Sequence, residues 1–117
     1  MVVEQLMYSH EMKLFSNHVY ELNKGIRHLV LHTLPKKFEE ITTKRLRSQN
    51  IDFAIQEVNS QKINLYFGKS ECINAIKLIV SRPLNLLTPE EDFILGTMLG
   101  YDVCAQCVRF CKMKAQN

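Results

Sequence analysis

The chain reads as one α+β domain spanning residues 1–117. Three observations carry that reading. The apolar spacing switches twice from a helical period to alternation, after Gly25 and after Asn50. Two branched, apolar runs flank the four-residue turn Asn59-Ser60-Gln61-Lys62, as in a β-hairpin. Finally, Thr88-Pro89-Glu90-Glu91 has the form of a capping box, with proline at the first helical position.

The elements follow in order. Ser9 reads as the cap of a first helix. Phe15, Val19 and Leu22 form its apolar stripe, and Gly25 stops it. Ile26 to Leu34 alternates and is rich in branched residues, so it reads as a strand. Pro35 opens a second helix with Phe38, Ile41, Thr42 and Leu46 inward, and Asn50 ends it. Ile51–Val58 and Ile63–Phe67 are the two hairpin strands. Gly68 breaks the second, and Ser70 caps a helix through Ile73, Ile76, Ile79 and Val80. Arg82-Pro83 ends that helix, because the residue before proline is driven out of the helical region.

Leu87 to Lys114 carries the C-terminal helical stretch. Phe93, Gly96, Gly100, Val103, Cys107 and Phe110 recur at alternating spacings of three and four. Ile94, Met98, Tyr101 and Val108 make the other side apolar too, so the stretch wants two partners. One is the domain body; the other is expected to be a second copy meeting Phe93, Gly96, Gly100, Val103 and Cys107. Two alternatives stay open: one kinked helix, or two helices with Gly100 ending the first and Asp102 capping the second.

A strand-helix-strand unit crosses over right-handed. The third strand is therefore expected between the first and second, antiparallel to both. This is a three-stranded ferredoxin-like sheet, an incomplete βαββα unit, with helices on one face. The first strand is left as an exposed edge, a second reason to expect a homodimer. Alternation then sorts the faces. Leu29, Leu31, Ile51, Phe53, Ile55, Ile63, Leu65 and Phe67 make the core face. His28, Val30, His32, Asp52, Ala54, Gln56, Asn64 and Tyr66 make the other. On that second face His28, His32, Gln56, Asn64 and Tyr66 form a candidate ligand site, against the alternative of a half-covered face with satisfied polar groups. His28 and His32 lie four residues apart on a strand, roughly 13 Å, too far to share a metal ion.

Composition bounds the rest. At 46% hydrophobic and 23% charged residues the chain is neither disordered nor membrane-spanning. Its first residues lack the basic start, apolar core and cleavage site of a secretory signal. Four cysteines, three of them at positions 104, 107 and 111, do not suggest a disulfide framework, and a reducing cytoplasm is expected. On one helix Cys104 and Cys107 are poorly placed to bridge each other. The outer pair of the three is about 10 Å apart along a helix axis, against roughly 4 Å between thiolates of one zinc site. No metal or other cofactor is expected; a thiol or metal site at Cys104, Cys107 and Cys111 is the weaker alternative.

The +3 formal charge is local to the second helix, where Lys36, Lys37, Lys44, Arg45 and Arg47 stand against Glu39 and Glu40. Tyr66 is the single aromatic on its sheet face and no glycine-aromatic signature is present, so nucleic acid is not an expected partner. No glycine-rich phosphate loop and no nucleophile-base signature appears.

The run LTPEEDFILGTMLGYD, followed by Gln106-Cys107 and Arg109-Phe110, resembles the C-terminal signature of a small uncharacterised bacterial family. That family is catalogued only as a domain of unknown function. GIRHLVLHTL and INLYFG resemble its other signature stretches. The resemblance implies a three-stranded α+β domain with about five helices, a homodimer, and no established activity. Cys104 and Cys111 fall outside the pattern. The expected function is that of a small cytoplasmic, non-catalytic binding or accessory module that self-associates, with no membrane association. The alternative is a small enzyme or ligand sensor using the His28, His32 and Tyr66 face.

Overall fold

The computed structural model describes residues 2–116. Helix α1 spans Val2–Asn23 and strand β1 Leu29–Pro35. A 3-10 turn, Lys36–Phe38, leads into α2, Glu39–Ser48. Strands β2, Asp52–Glu57, and β3, Lys62–Gly68, form the hairpin, and α3, Ser70–Ile79, follows. A second 3-10 turn, Leu84–Leu86, precedes α4, Pro89–Met98, and α5, Val103–Ala115. The sheet order is β1-β3-β2, with both pairings antiparallel. The α+β class and the central place of the hairpin's second strand are thus as the sequence predicts.

The C-terminal alternatives resolve into two helices. Gly100 takes a positive φ of 83°, and Asp102 caps α5 by accepting from the Ala105 amide at 2.8 Å. The capping box of α4 is complete: the Glu91 amide donates to Thr88 Oγ1 at 3.1 Å, and the Thr88 amide donates to Glu91 Oε1 at 2.8 Å. The bond from the Thr88 amide is the chief cause holding the Glu91 carboxyl below its usual range, helped by the Thr88 side chain and by Arg82. Asn50 adopts a φ of 57° just beyond α2, a conformation asparagine tolerates better than most residues.

Two expectations are corrected. The helices do not lie on one face of the sheet. On the first face Phe15 and Val19 of α1, Phe38, and Leu46 of α2 close over Val30, Leu34, Ile63, Leu65 and Phe67. On the second, Ile73 and Ile76 of α3, Leu87, Leu95 of α4 and Leu99 just beyond it close over Leu29 and Tyr66. The phase of β1 is also reversed. Val30 sits opposite Phe67 and His32 opposite Leu65, whereas Leu31 sits opposite Tyr66 and Thr33 opposite Asn64. Both corrections have one cause. A strand buried on both faces reads as a continuous apolar run, and Leu29-Val30-Leu31 contains no alternation from which to choose a phase.

Helix α1 starts seven residues before Ser9. Its stretch Val2–His10 is exposed throughout; Tyr8 meets the Phe38 ring at 6.1 Å, and the buried residues of the helix, Phe15 and Val19, lie in its second half.

Candidate functional site

Reversing β1 divides the five predicted site residues. His28 precedes the strand and is exposed; its carbonyl accepts from the Lys69 amide at 3.0 Å. Gly68 is needed here, since a Cβ at that position would collide with the His28 carbonyl. His32 lies on the first face, beneath α1. Gln56, Asn64 and Tyr66 remain together on the second face, and the residue that joins them is Thr33.

These four form a hydrogen-bonded ladder across the three strands. Thr33 Oγ1 donates to Asn64 Oδ1 at 2.6 Å. Asn64 Nδ2 donates to Gln56 Oε1 at 3.1 Å, and the Tyr66 hydroxyl donates to the same oxygen at 3.2 Å. Gln56 Nε2 then donates to the Arg82 carbonyl at 2.9 Å, tying the ladder to the loop before α4. Burial pushes the Tyr66 phenol up to about 12, so it stays a protonated donor at neutral pH.

Three of the four, Thr33, Gln56 and Asn64, line a trough. One cavity, about 490 Å³, is lined by Thr33, Gln56, Glu57, Val58, Asn64, Pro83, Leu84 and Asn85. A second, about 410 Å³, lies beside Leu31 and is walled by Leu84, Leu87, Leu95 and Leu99 together with Asp92, Tyr101, Gln106 and Arg109. Leu84 and Asn85 line both, so the two join along the β1 side of the sheet. Arg109 is held by two bonds to Asp92, at 2.7 and 3.0 Å. Both ends of the trough mix apolar walls with polar groups: Asp92, Gln106 and Arg109 at one, Thr33, Gln56, Glu57 and Asn64 at the other.

Sequence reasoning missed a second cluster. His32 is 6% exposed, with Nε2 3.3 Å from Glu11 Oε2. Its ring stacks on Phe15 at 6.5 Å and meets His18 edge-on at 5.2 Å. Glu11 Oε2, His18 Nδ1 and His32 Nδ1 are buried without hydrogen-bond partners. Burial is the chief cause holding His32 below 6.5, opposed by Glu11. Burial also lowers His18, helped by His32 and Arg27 and opposed by Glu21. With folded values depressed, the unfolded chain takes up protons first as pH falls through 6.5, and stability declines below it. The melting temperature is expected to drop between about pH 7.5 and about pH 5.5. Substituting His32→Gln should flatten that slope. A melting temperature that holds or rises on acidification would contradict this arrangement.

The predicted interface stripe is split between α4 and α5. Phe93 packs edge-on against Phe110 at 5.7 Å. Gly96 is filled by the Gln106 side chain of α5, with no room for a Cβ. Gly100 lies in the turn between the helices, and Val103 and Cys107 face outward on α5. Gly96 and Gly100 therefore do not form a close-approach surface for a second copy. Cys104, Cys107 and Cys111 are exposed free thiols. Among the described residues, no three His, Cys, Asp or Glu side chains are arranged to hold a metal ion. Nor, among them, is any helix long and apolar enough to cross a membrane.

Residues 13–113 match a family described as a protein of unknown function, DUF2023. The chain belongs to DUF2023. The match covers the sheet, both layers of helices and the whole trough, and it confirms the resemblance carried by the C-terminal signature. The part of α1 before Lys13, including its exposed half, lies outside the matched region. No curated protein matches the chain.

Proposed function

We propose that this DUF2023 chain is a small non-catalytic binding module that works as a homodimer in the cytoplasm. The polar side chains at the ladder end of the trough are the carboxamides of Gln56, Asn64 and Asn85, the Thr33 hydroxyl and the Glu57 carboxylate. Such groups recognise a partner by hydrogen bonding. Four free thiols suit a reducing compartment.

The exposed half of α1 is the observation that carries the dimer. Val2, Val3, Leu6, Met7 and Tyr8 are 40–71% exposed on a helix that projects from the body. The radius of gyration is 15.2 Å, against about 13.4 Å for a compact chain of this length. A short helical overhang gains little stability from propensity alone, so its apolar residues favour a packing partner. Fully burying such a side chain is worth 1.5–3 kcal/mol at ~25 cal/mol per Å², or roughly 60–120 Å² each. At 40–71% exposure, ten such side chains from two copies supply roughly half of the ~1,000 Å² that a stable interface needs. Two overhangs crossing about a two-fold axis bring them together on a single self-complementary surface.

Light scattering at micromolar concentration is expected to give twice the chain mass. Leu6→Glu should give the chain mass with the core's unfolding transition intact, since Leu6 is 65% exposed. A monomeric mass for the unsubstituted protein would end the dimer reading.

A further inference from the structure

We propose that the end of the sheet where β1 and β3 meet the hairpin turn carries a binding site for a small organic phosphate, held by Lys36, Lys37 and Lys62. The site lies apart from the trough, and the proposal goes beyond the binding-module reading and is independent of the dimer. A cavity of about 420 Å³ opens there, within the size range of small-molecule sites. Lys36, Lys37 and Lys62 line it together with Met7, Pro35, Ser60 and Gln61. Three lysines therefore share one cavity with no carboxylate in its wall. Four other cavities of the surface each include one: Asp52, Asp92, Glu57 or Glu4.

The fold brings the three together. The β1–β3 register pairs Pro35 with Lys62. The Lys36 amide donates to the Gln61 carbonyl at 2.8 Å, which fixes the 3-10 turn before α2 against the hairpin turn. The hairpin turn is itself stiffened by Asn59 Oδ1, which accepts from the Gln61 and Lys62 amides at 2.8 and 2.9 Å. Both backbone segments that carry the lysines are thus in place before a ligand arrives, and binding has only side chains to order.

Charge then selects the occupant. Lys36 has Glu57 at 3.5 Å, but both side chains are exposed, and such a pair contributes little. Among the described residues neither Lys37 nor Lys62 pairs with a carboxylate. The Lys37 ammonium lies 5.4 Å from the Phe38 ring, a contact that orients the cation and leaves its charge in place. A carboxylate would bring one negative charge to three cations. A phosphate monoester brings nearly two, with three acceptor oxygens for the lysines. Met7, Pro35 and the lysine methylene chains supply an apolar wall for the organic part. The rest of the basic run is used differently. Arg45 donates to Ser16 at 2.8 Å, and Arg47 lies over the Phe53 ring at 5.2 Å.

The probe is phenyl phosphate, titrated into ¹⁵N-labelled full-length protein at low ionic strength, where screening is weakest. Benzoate and inorganic phosphate are titrated beside it at equal ionic strength. Phenyl phosphate is expected to shift the amide signals of Lys36, Lys37, Ser60, Gln61 and Lys62 in one saturable step, and to bind about tenfold or more tighter than benzoate. Lys37→Gln combined with Lys62→Gln should weaken it by about tenfold or more. Both positions are exposed, so the melting temperature should stay unchanged. Lys44→Gln, an exposed cation outside the cavity, should leave binding as it was. Equal affinity for benzoate overturns the proposal, as does an equal loss in Lys44→Gln or the absence of a saturable shift at these five amides. Inorganic phosphate binding as tightly as phenyl phosphate would reduce the site to an adventitious ion only and overturn it too. So would a short single-stranded oligonucleotide that binds more tightly and shifts Lys44 and Arg47 as well, since the lysines would then belong to a nucleic-acid surface.

Discussion

Replacing Phe67 by alanine is expected to cost about 3–5 kcal/mol, the range for deleting a buried aromatic ring. Phe67 lies on the central strand with no exposed surface, and its ring meets Phe15 of α1 at 5.5 Å. Phe15 in turn stacks on His32 and carries Arg45 of α2 over its ring at 5.6 Å. Removing Phe67 therefore leaves a cavity where β1, β3, α1 and α2 meet. Because β3 is paired on both sides, its backbone cannot shift to fill that space. Urea titration followed by circular dichroism is the measurement. The midpoint should fall with an unchanged slope, marking lost stability without altered compactness. A loss under about 1 kcal/mol would mean that the first-face core is not centred on this contact.

Much of the architecture is legible in the residues because local chemistry specifies it. Turn residues Asn59 to Lys62 fix the hairpin, and the hairpin register then aligns Gln56 with Asn64 and Ala54 with Tyr66. Three of the five candidate site residues come together for that reason. Thr33 could not be read as their partner, because its face depends on the phase of β1. Leu29-Val30-Leu31 fits either phase when both sides of the sheet are buried. The His18–His32 contact is hidden by the same ambiguity, since His32 had to be placed under α1 before His18 could be its neighbour.

The glycine pair was misread for a different reason. Spacing places Gly96 and Gly100 on one stripe only if the helix continues. Whether Gly100 ends it is decided by Asp102 capping α5, a signal of the same strength as the periodicity it interrupts. Once the chain turns, the Gly96 gap belongs to Gln106. Salt bridges from Arg109 to Asp92 and from Lys114 to Glu90 then hold α5 against α4. No residue of α5 is buried. It is therefore a covering element, fixed by its inner face and by surface ion pairs that solvent screens.

Tyr66→Ala is expected to cost as much as Phe67→Ala, although the two side chains point to opposite sides of the sheet. If the helices lay on one face, Tyr66 would be a surface residue and its truncation would cost a few tenths of a kcal/mol. Instead it is 1% exposed and packs with Leu29, Ile73, Ile76 and Leu95. Its loss opens a cavity between β3, α3 and α4, which places it in the same range of about 3–5 kcal/mol. Tyr66→Phe separates the ring from the hydroxyl. It keeps the packing and removes one donor from Gln56 Oε1, which still accepts from Asn64. Its expected cost is therefore only about 0.5–1.5 kcal/mol. Thermal denaturation of the two variants measures the difference directly. Near-equal losses for Tyr66→Ala and Tyr66→Phe would show that the ladder, and not the packing beneath it, holds the second face closed. A trough floored by a rigid core would then become one whose shape depends on a single chain of hydrogen bonds.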